Sequence, residues 1–553
     1  MKRKPLKLVF SLLGVLLVTV AFSSLSFKQK VNTNPLPDFY KKGVYHLHST
    51  FSDGRGDIAA IRRAAASQHL DFVMLTDHGR PNLRSSAATG WNDGVLLIGA
   101  SEFSLHAGHL AAAGYRVPGY IFPPEPQEAI DEVGRDGGVT FIAHPLDGRI
   151  PWTDWRVHGF TGIEIVSLYQ RAKANLPYAL TLLPLHYLFN PDYALTALLS
   201  YPEKELRIWD RFNRQGNYYG IYALDSHAKI MVSKKSSLHF PSYQATFRIL
   251  TIYVKLEHEL EKDPDRAASA ILAAIGRGNF FNVIESLAPA NGFEHYYREN
   301  DGRRVDMGGQ ARHPGGSLVF NLPFDFPTVV VIRKDGGVFK TIRAGRRQEL
   351  SIAVAQAGVY RSEITLASGR FKKLPWILAN PVFVAMPAVE KKSPETIRGT
   401  ALADGRIFFL VEKNNRSSAA LQRLDQAGTP PVTALAFTLR PEGPGQRDFW
   451  VALAHRQTIS ASGYHGFVFE TRSSRPMRIW LQFRTGDAAF QHSFLADSEW
   501  RQVAIPFSSF HCLHGGPPAP AAQGIDSFFF LIDNGNAYPN AAGEIFFRQV
   551  GLY

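Results

Sequence analysis

Five short apolar runs in this chain end in side chains that bind metal ions: His46-Leu47-His48 with Asp53, Asp77-His78, Glu102 with His109, His144, and Asp225 with His227. Imidazole nitrogen and carboxylate oxygen together suit zinc, manganese or iron. Cys512 is the only cysteine, so an internal disulfide and a thiolate metal site are both excluded. On an extended strand residues two apart share a face, which would let His46 and His48 reach one ion. Ser52-Asp53-Gly54 offers a turn that brings the Asp53 carboxylate back over the same place. Runs that repeatedly deliver such residues at their ends predict strands opening on one mouth.

The elements that must position these residues follow from periodicity. Apolar runs at 44–48, 72–75, 95–98, 139–143, 162–166 and 218–224 alternate with helix-like segments at 58–68, 128–135 and 209–215. Such alternation predicts a largely parallel α/β sheet or barrel. A leucine- and tyrosine-rich stretch at 176–199 is broken by Pro177, Pro184 and Pro191, and reads as helices packed on the barrel rather than as a membrane span. Beyond about residue 281 the pattern turns to short alternating runs, which predict a β-sandwich over 286–388. A charged linker at 389–398 leads to a second strand-rich region, 399–553, expected to be a jelly roll.

With 553 residues, several folding units are expected. The 61 Lys and Arg exceed the 48 Asp and Glu by 13, but the excess is diffuse. Neither Lys2-Arg3-Lys4 nor Arg343-Ala344-Gly345-Arg346-Arg347 is interleaved with aromatic residues, so nucleic-acid binding is not indicated. Lys2, Arg3, Lys4 and Lys7 precede an almost uncharged run at 8–27, which makes residues 1–27 an export signal or a membrane anchor. Residues 28–42 then form a tether, and the remainder of the chain is expected to be extracytoplasmic.

Four segments, His46-Leu47-His48-Ser49-Thr50-Phe51-Ser52-Asp53-Gly54, Thr76-Asp77-His78-Gly79, Ile142-Ala143-His144-Pro145 and Asp225-Ser226-His227, resemble in order the four motifs of the polymerase and histidinol phosphatase (PHP) family. Glu102 and His109 match the family's two remaining ligand positions, and the resemblance covers residues 43–285 with a helical insertion at 168–206. It implies a distorted (β/α)7 barrel holding two or three divalent ions. By that resemblance His46, His48, Glu102 and Asp225 hold one ion, Glu102 bridges to a second held by His109 and His144, and Asp53, His78 and His227 hold the third. The implied reaction is hydrolysis of a phosphorylated small molecule or polymer by a metal-bound hydroxide.

Asp77 could orient an imidazole from behind, and Arg80, Arg149 and Lys229 lie close enough in sequence to the ligands to grip phosphate oxygens. Glu164, flanked by Ile163 and Ile165, reads either as an acid supporting a metal ligand from behind or as a buried structural carboxylate, the latter slightly preferred. Gly358-Val359-Tyr360-Arg361 and Trp376-Ile377 with Asn380-Pro381 are similar to a branch of PHP proteins carrying a β-domain after the barrel. The last region loosely resembles galactose-binding-type jelly rolls, which implies glycan binding. Two other readings stand beside phosphoester hydrolysis: hydrolysis of another ester or an amide at the same ions, and a glycan-binding surface protein with an inactive barrel.

Overall fold

The computed structural model describes residues 4–231, 237–386, 400–401, 409–424, 430–443, 446, 448–513 and 524–553, without the side chains of 4–13, 230–231, 237–238 and 400–401. The expected linker at 389–398 and the cations Lys2 and Arg3 lie outside these residues. The chain divides into two compact units, Met1–Arg116 with Ile130–Glu390, and Val117–Ala129 with Lys391–Tyr553.

In the first unit one mixed sheet carries the ligand-type residues. Strand Tyr40–Tyr45 lies parallel to Phe72–Leu75, which is parallel to Val95–Leu105. Val95–Leu105 turns back through Gly108–Ala113, which is antiparallel to Val139–Ile142. Parallel pairing resumes to Gly162–Ser167 and Tyr219–Ala223. Tyr219–Ala223 ends the strand path, and an isolated parallel bridge between Leu47 and Ser226 links it back to the end of Tyr40–Tyr45. Burial on both faces explains the unbroken apolar runs: every residue of Phe72–Leu75, Val139–Ile142 and Gly162–Ser167 is buried.

The sheet continues past residue 285. Tyr40–Tyr45 pairs with Leu250–Lys255, that strand with Phe280–Ile284, and Phe280–Ile284 with Ile377–Val384. Strands Gly358–Leu366, Thr328–Lys334 and Gly337–Ala344 extend the same sheet, and a separate four-stranded sheet holds Ser317–Leu322. These strands fall in the first compact unit.

The motifs of that stretch act as fasteners. The Asn380 amide accepts from Gly220 N–H at 2.8 Å and donates to Phe280 C=O at 3.0 Å, while Trp376 Nε1 donates to Ala288 C=O at 2.7 Å. Arg361, 2% exposed, holds both oxygens of Asp210 on the helix Glu203–Asn213, at 2.6 and 2.8 Å, and lies over the Trp209 ring. That helix begins six residues before the position expected from sequence, because Trp209 and Phe212 bury on the same face as Glu205 and Leu206.

The stretch expected as barrel-packed helices forms Leu168–Ala174, Leu176–Phe189 and Pro191–Thr196. Asn190 caps the last, accepting from Tyr193 N–H. Leu176–Phe189 packs beside the helix Lys4–Leu25, with a buried 2.7 Å hydrogen bond between Ser24 and His186. No helix among the described residues is long and apolar enough to cross a membrane.

The second unit contains two six-stranded sheets, consistent with the expected jelly-roll layering. One includes Val432–Thr438, Ala542–Leu552 and Gly466–Ser473, and the other Trp450–His455, Ser527–Asp533 and Met477–Thr485. Phe467, Phe469, Phe483, Phe494, Phe530 and Phe547 lie in its core. The segment Val117–Ala129 belongs to this unit, which composition gave no reason to expect. Glu125 accepts from Ser493 N–H and Oγ at 3.0 and 2.5 Å, and Glu128 accepts from Arg478 Nη1 at 2.5 Å.

Candidate metal centre

Local backbone geometry swings the ligand-type residues over one end of the sheet. Strand Tyr40–Tyr45 stops just before His46, which sits at φ 64°, and His144 and Asp225 follow their strands at φ 27° and 49°. Such left-handed positions cost non-glycine residues on the order of 1–3 kcal/mol each and persist where the surroundings enforce them. His46 and His48 therefore converge through a kink rather than through simple strand alternation. A Cβ on Gly54 would strike the His48 carbonyl oxygen at 2.2 Å, so only glycine lets the Asp53 turn close.

All nine expected ligand positions meet in one cluster. Glu102, 1% exposed, stands at its centre. Its Oε2 lies 3.4 Å from His46 Nε2, 3.3 Å from His48 Nε2 and 3.1 Å from His78 Nδ1. Its Oε1 lies 2.8 Å from His109 Nδ1 and 2.9 Å from His144 Nε2. Asp225 Oδ1 is 3.7 Å from His46 Nε2 and 3.4 Å from His48 Nε2. A third group joins Asp53 to His227 Nε2 at 3.3 Å and to His78 Nε2 at 3.7 Å.

These separations distinguish ligands from hydrogen-bonded partners. Two ligands each about 2.1 Å from one tetrahedral ion stand roughly 3.4 Å apart, the spacing of His46 and His48 from Glu102. His46 Nε2, His48 Nε2, His78 Nδ1 and His144 Nδ1 are buried without a hydrogen-bond partner. Buried polar atoms left in that state are costly unless something else satisfies them, and a divalent cation suits three of these four, His46 Nε2, His48 Nε2 and His78 Nδ1, which face carboxylate oxygen. The residues present fit two or three such ions, with Glu102 able to bridge.

Protons show the same demand for positive charge. Burial disfavours the imidazolium of His48, but Asp225 and Glu102 more than offset it and push its pKa up to about 9. For His144 burial is likewise outweighed by Glu102 and Asp225, again up to about 9. His46 rises well above the ordinary range, burial opposing and Glu164 and Glu102 prevailing. Despite its burial Glu102 is held well below the carboxylate range by His46, His109 and His144. His78 goes down, to about 4, chiefly through burial.

Behind the ligands the structure departs from the sequence reading. Asp77 reaches no imidazole: its carboxylate accepts from Ser49 N–H at 2.8 Å and from the hydroxyls of Ser49, Ser52 and Ser85 at 2.7, 2.5 and 2.7 Å. It braces the loop that carries Asp53. Glu164 does the orienting instead, with Oε1 2.5 Å from His46 Nδ1 and Oε2 accepting from His144 N–H at 2.7 Å. That contact keeps the proton on Nδ1 and turns the Nε2 lone pair toward the cluster. A lone carboxylate in a wholly buried strand was the only sequence signal for it. Lys229 Nζ donates to Asp53 C=O at 2.9 Å, Arg149 is exposed on the loop after His144, and Arg80 lies half-buried two residues after His78. Tyr169, unforeseen from sequence, packs its ring 5.0 Å from that of His227.

No family model and no curated protein matches this chain. Among solved structures it is similar to a two-domain protein from Bacteroides vulgatus containing a predicted PHP-like metal-dependent phosphoesterase, at 14% identity and a TM-score of 0.32, over 64% of this chain and 98% of that one. It is also similar to a family 11 carbohydrate-binding module of a Clostridium thermocellum cellulosomal cellulase, at 17% identity and a TM-score of 0.22, over 29% and 95%. An amidohydrolase from Chromobacterium violaceum with bound sulfate and no metal matches at 17% identity and a TM-score of 0.22, over 34% and 87%.

Proposed function

We propose that this chain is an extracytoplasmic metal-dependent phosphoesterase of the PHP type. The observation that carries the reading is Glu102, whose two oxygens face five imidazoles while buried ring nitrogens beside it lack hydrogen bonds. Divalent ions bound there would supply Lewis acidity toward a phosphoryl oxygen and acidify a water molecule. The chain's own groups do the rest. Glu164 fixes the tautomer of His46, Asp77 and its serines hold the Asp53 loop, and Lys229 anchors that loop through the Asp53 carbonyl. Arg149, on the exposed loop after His144, and the face of Tyr169 offer a phosphate grip and a packing surface for the group it carries. Export is supported by the basic and then apolar character of residues 1–27.

The test joins metal analysis of the purified chain to a hydrolysis panel of nitrophenyl phosphomonoesters, phosphodiesters and carboxyl esters. Phosphate release that depends on bound metal and is lost in His46→Ala and His227→Ala is expected. Full activity in both variants refutes the site, and cleavage of carboxyl esters alone moves the substrate to another bond. Glycan recognition by the second unit is a separate proposal. Around Arg478 and Ser493 one sheet is already engaged by Glu125 and Glu128, whereas on the other Arg548 stacks on Trp500 and Arg472 on Phe546, at 4.3 and 4.4 Å. Binding of the full chain on a glycan array, and its loss in Trp500→Ala, tests that surface.

A further inference from the structure

The helices Lys4–Leu25 and Leu176–Phe189 bury Val20 and Leu183 but leave most of their other described large apolar side chains exposed. Between them lie polar contacts: Ser24, fully buried, hydrogen-bonds His186, and Asn190 donates to the Ser24 carbonyl at 3.0 Å. Outward they present large apolar side chains. Leu176, Leu180 and Leu188 are exposed at four-residue spacing with Pro184 in the same row, and Val15, Val18, Phe22 and Leu25 form a matching stripe. Among the described residues, ten of the twenty-two exposed large hydrophobic side chains fall on these two helices, with Phe22 75%, Leu180 66% and Leu188 80% exposed. Water rarely tolerates so concentrated a patch, and polar contacts inside with leucine outside is how helices pack in lipid.

A pocket of about 420 Å³ opens at the end of this patch, lined by Phe22, Phe27, Lys28, Lys30, Ser368 and Arg370 among others. The three cations have no carboxylate within 4.0 Å among the described residues, and Arg370 lies 5.4 Å over the Tyr193 ring. Cations and hydroxyls beside aromatic rings, next to an apolar surface, match a phosphate headgroup whose acyl chains run along the helices. The fourteen residues of Leu176–Phe189 span roughly 21 Å, short of the bilayer's hydrocarbon core. That helix can dip into a membrane but cannot cross it.

We propose that these two helices form a membrane-inserted face and that the pocket beside them binds the headgroup of an anionic phospholipid. The insertion helix then works together with the N-terminal segment, and both hold the unit carrying the metal centre at the lipid surface.

The experiment floats the full chain with vesicles of phosphatidylcholine, alone or with roughly one-third phosphatidylglycerol. Partition onto the anionic vesicles should be at least about tenfold stronger, and Lys28→Gln/Lys30→Gln/Arg370→Gln should abolish the preference while leaving hydrolysis intact. A polarity-sensitive dye on Leu188→Cys, in a Cys512→Ser background, should shift to the blue on adding vesicles. Equal partition onto both vesicle types, an unshifted dye, or a mature N-terminus beyond Ser24 overturns the proposal. So does inorganic phosphate binding to the triple-sensitive pocket without any vesicle preference, which assigns it to a soluble ligand.

Discussion

Arg361 and Glu102 are both almost wholly buried in the first unit, yet one closes its contacts at hydrogen-bond distance while the other holds most of its neighbours apart. Arg361 meets Asp210 twice and Glu363 once at 2.6–2.8 Å, and Glu363 in turn accepts from Arg333 at 2.7 Å and from Tyr201 at 2.9 Å. Glu102 Oε2 stands 3.1–3.4 Å from three imidazoles whose facing nitrogens make no hydrogen bond. A buried network that satisfies every member rigidifies a fold, whereas one that leaves donors and acceptors apart is incomplete without a further charge. The difference separates a fastener from a site without recourse to any relative.

Breaking each cluster should therefore give different phenotypes. The largest effect is expected for Glu102→Ala: metal analysis should find retained ions at background and hydrolysis lost, with far-UV circular dichroism unchanged. Retention of stoichiometric metal would erase the distinction between the two clusters. Arg361→Leu should do the reverse, costing about 3–5 kcal/mol of unfolding free energy in denaturant titration by stranding Asp210 and Glu363, while metal content per folded molecule stays at the parent level. Glu164→Gln should weaken metal affinity roughly 10–100-fold with little change in stability, read from competition with a chelating dye.

The smallest effect is one of pH. In the metal-free chain His48 and His144 titrate near 9, against about 6.5 when unfolded. Their contribution to stability is complete below pH 6.5 and is lost as pH rises through 9. Thermal unfolding of the chelated protein should accordingly fall over that window. With ions bound the trend should reverse, because a cation and a proton compete for the same nitrogens. A melting temperature that moves the same way in both forms contradicts this account.

Much of the architecture was legible because its signals are local. Apolar runs at 72–75 and 162–166 marked buried strands, and the described part of the strand-rich region 399–553 contains two six-stranded sheets. The pairing of Phe280–Ile284 with Ile377–Val384 was not legible, because each looks like any other strand until the two meet. Which of Asp77 and Glu164 supports an imidazole was not legible for a similar reason. Adjacency in sequence favoured Asp77, but its neighbours in space are serines, whereas Glu164 meets an imidazole 118 residues away.

Residue type and spacing alone determined that this chain can assemble a nitrogen and oxygen ligand set without sulfur, since what a side chain can bind is fixed by its chemistry wherever it lies. Only the tertiary structure decided which nitrogen faces which oxygen, that Val117–Ala129 joins the second unit, and that the leucines of Leu176–Phe189 point outward. Those outcomes depend on contacts such as Ser24 with His186 and Glu125 with Ser493, 162 and 368 residues apart, and no local pattern encodes a partner at that distance.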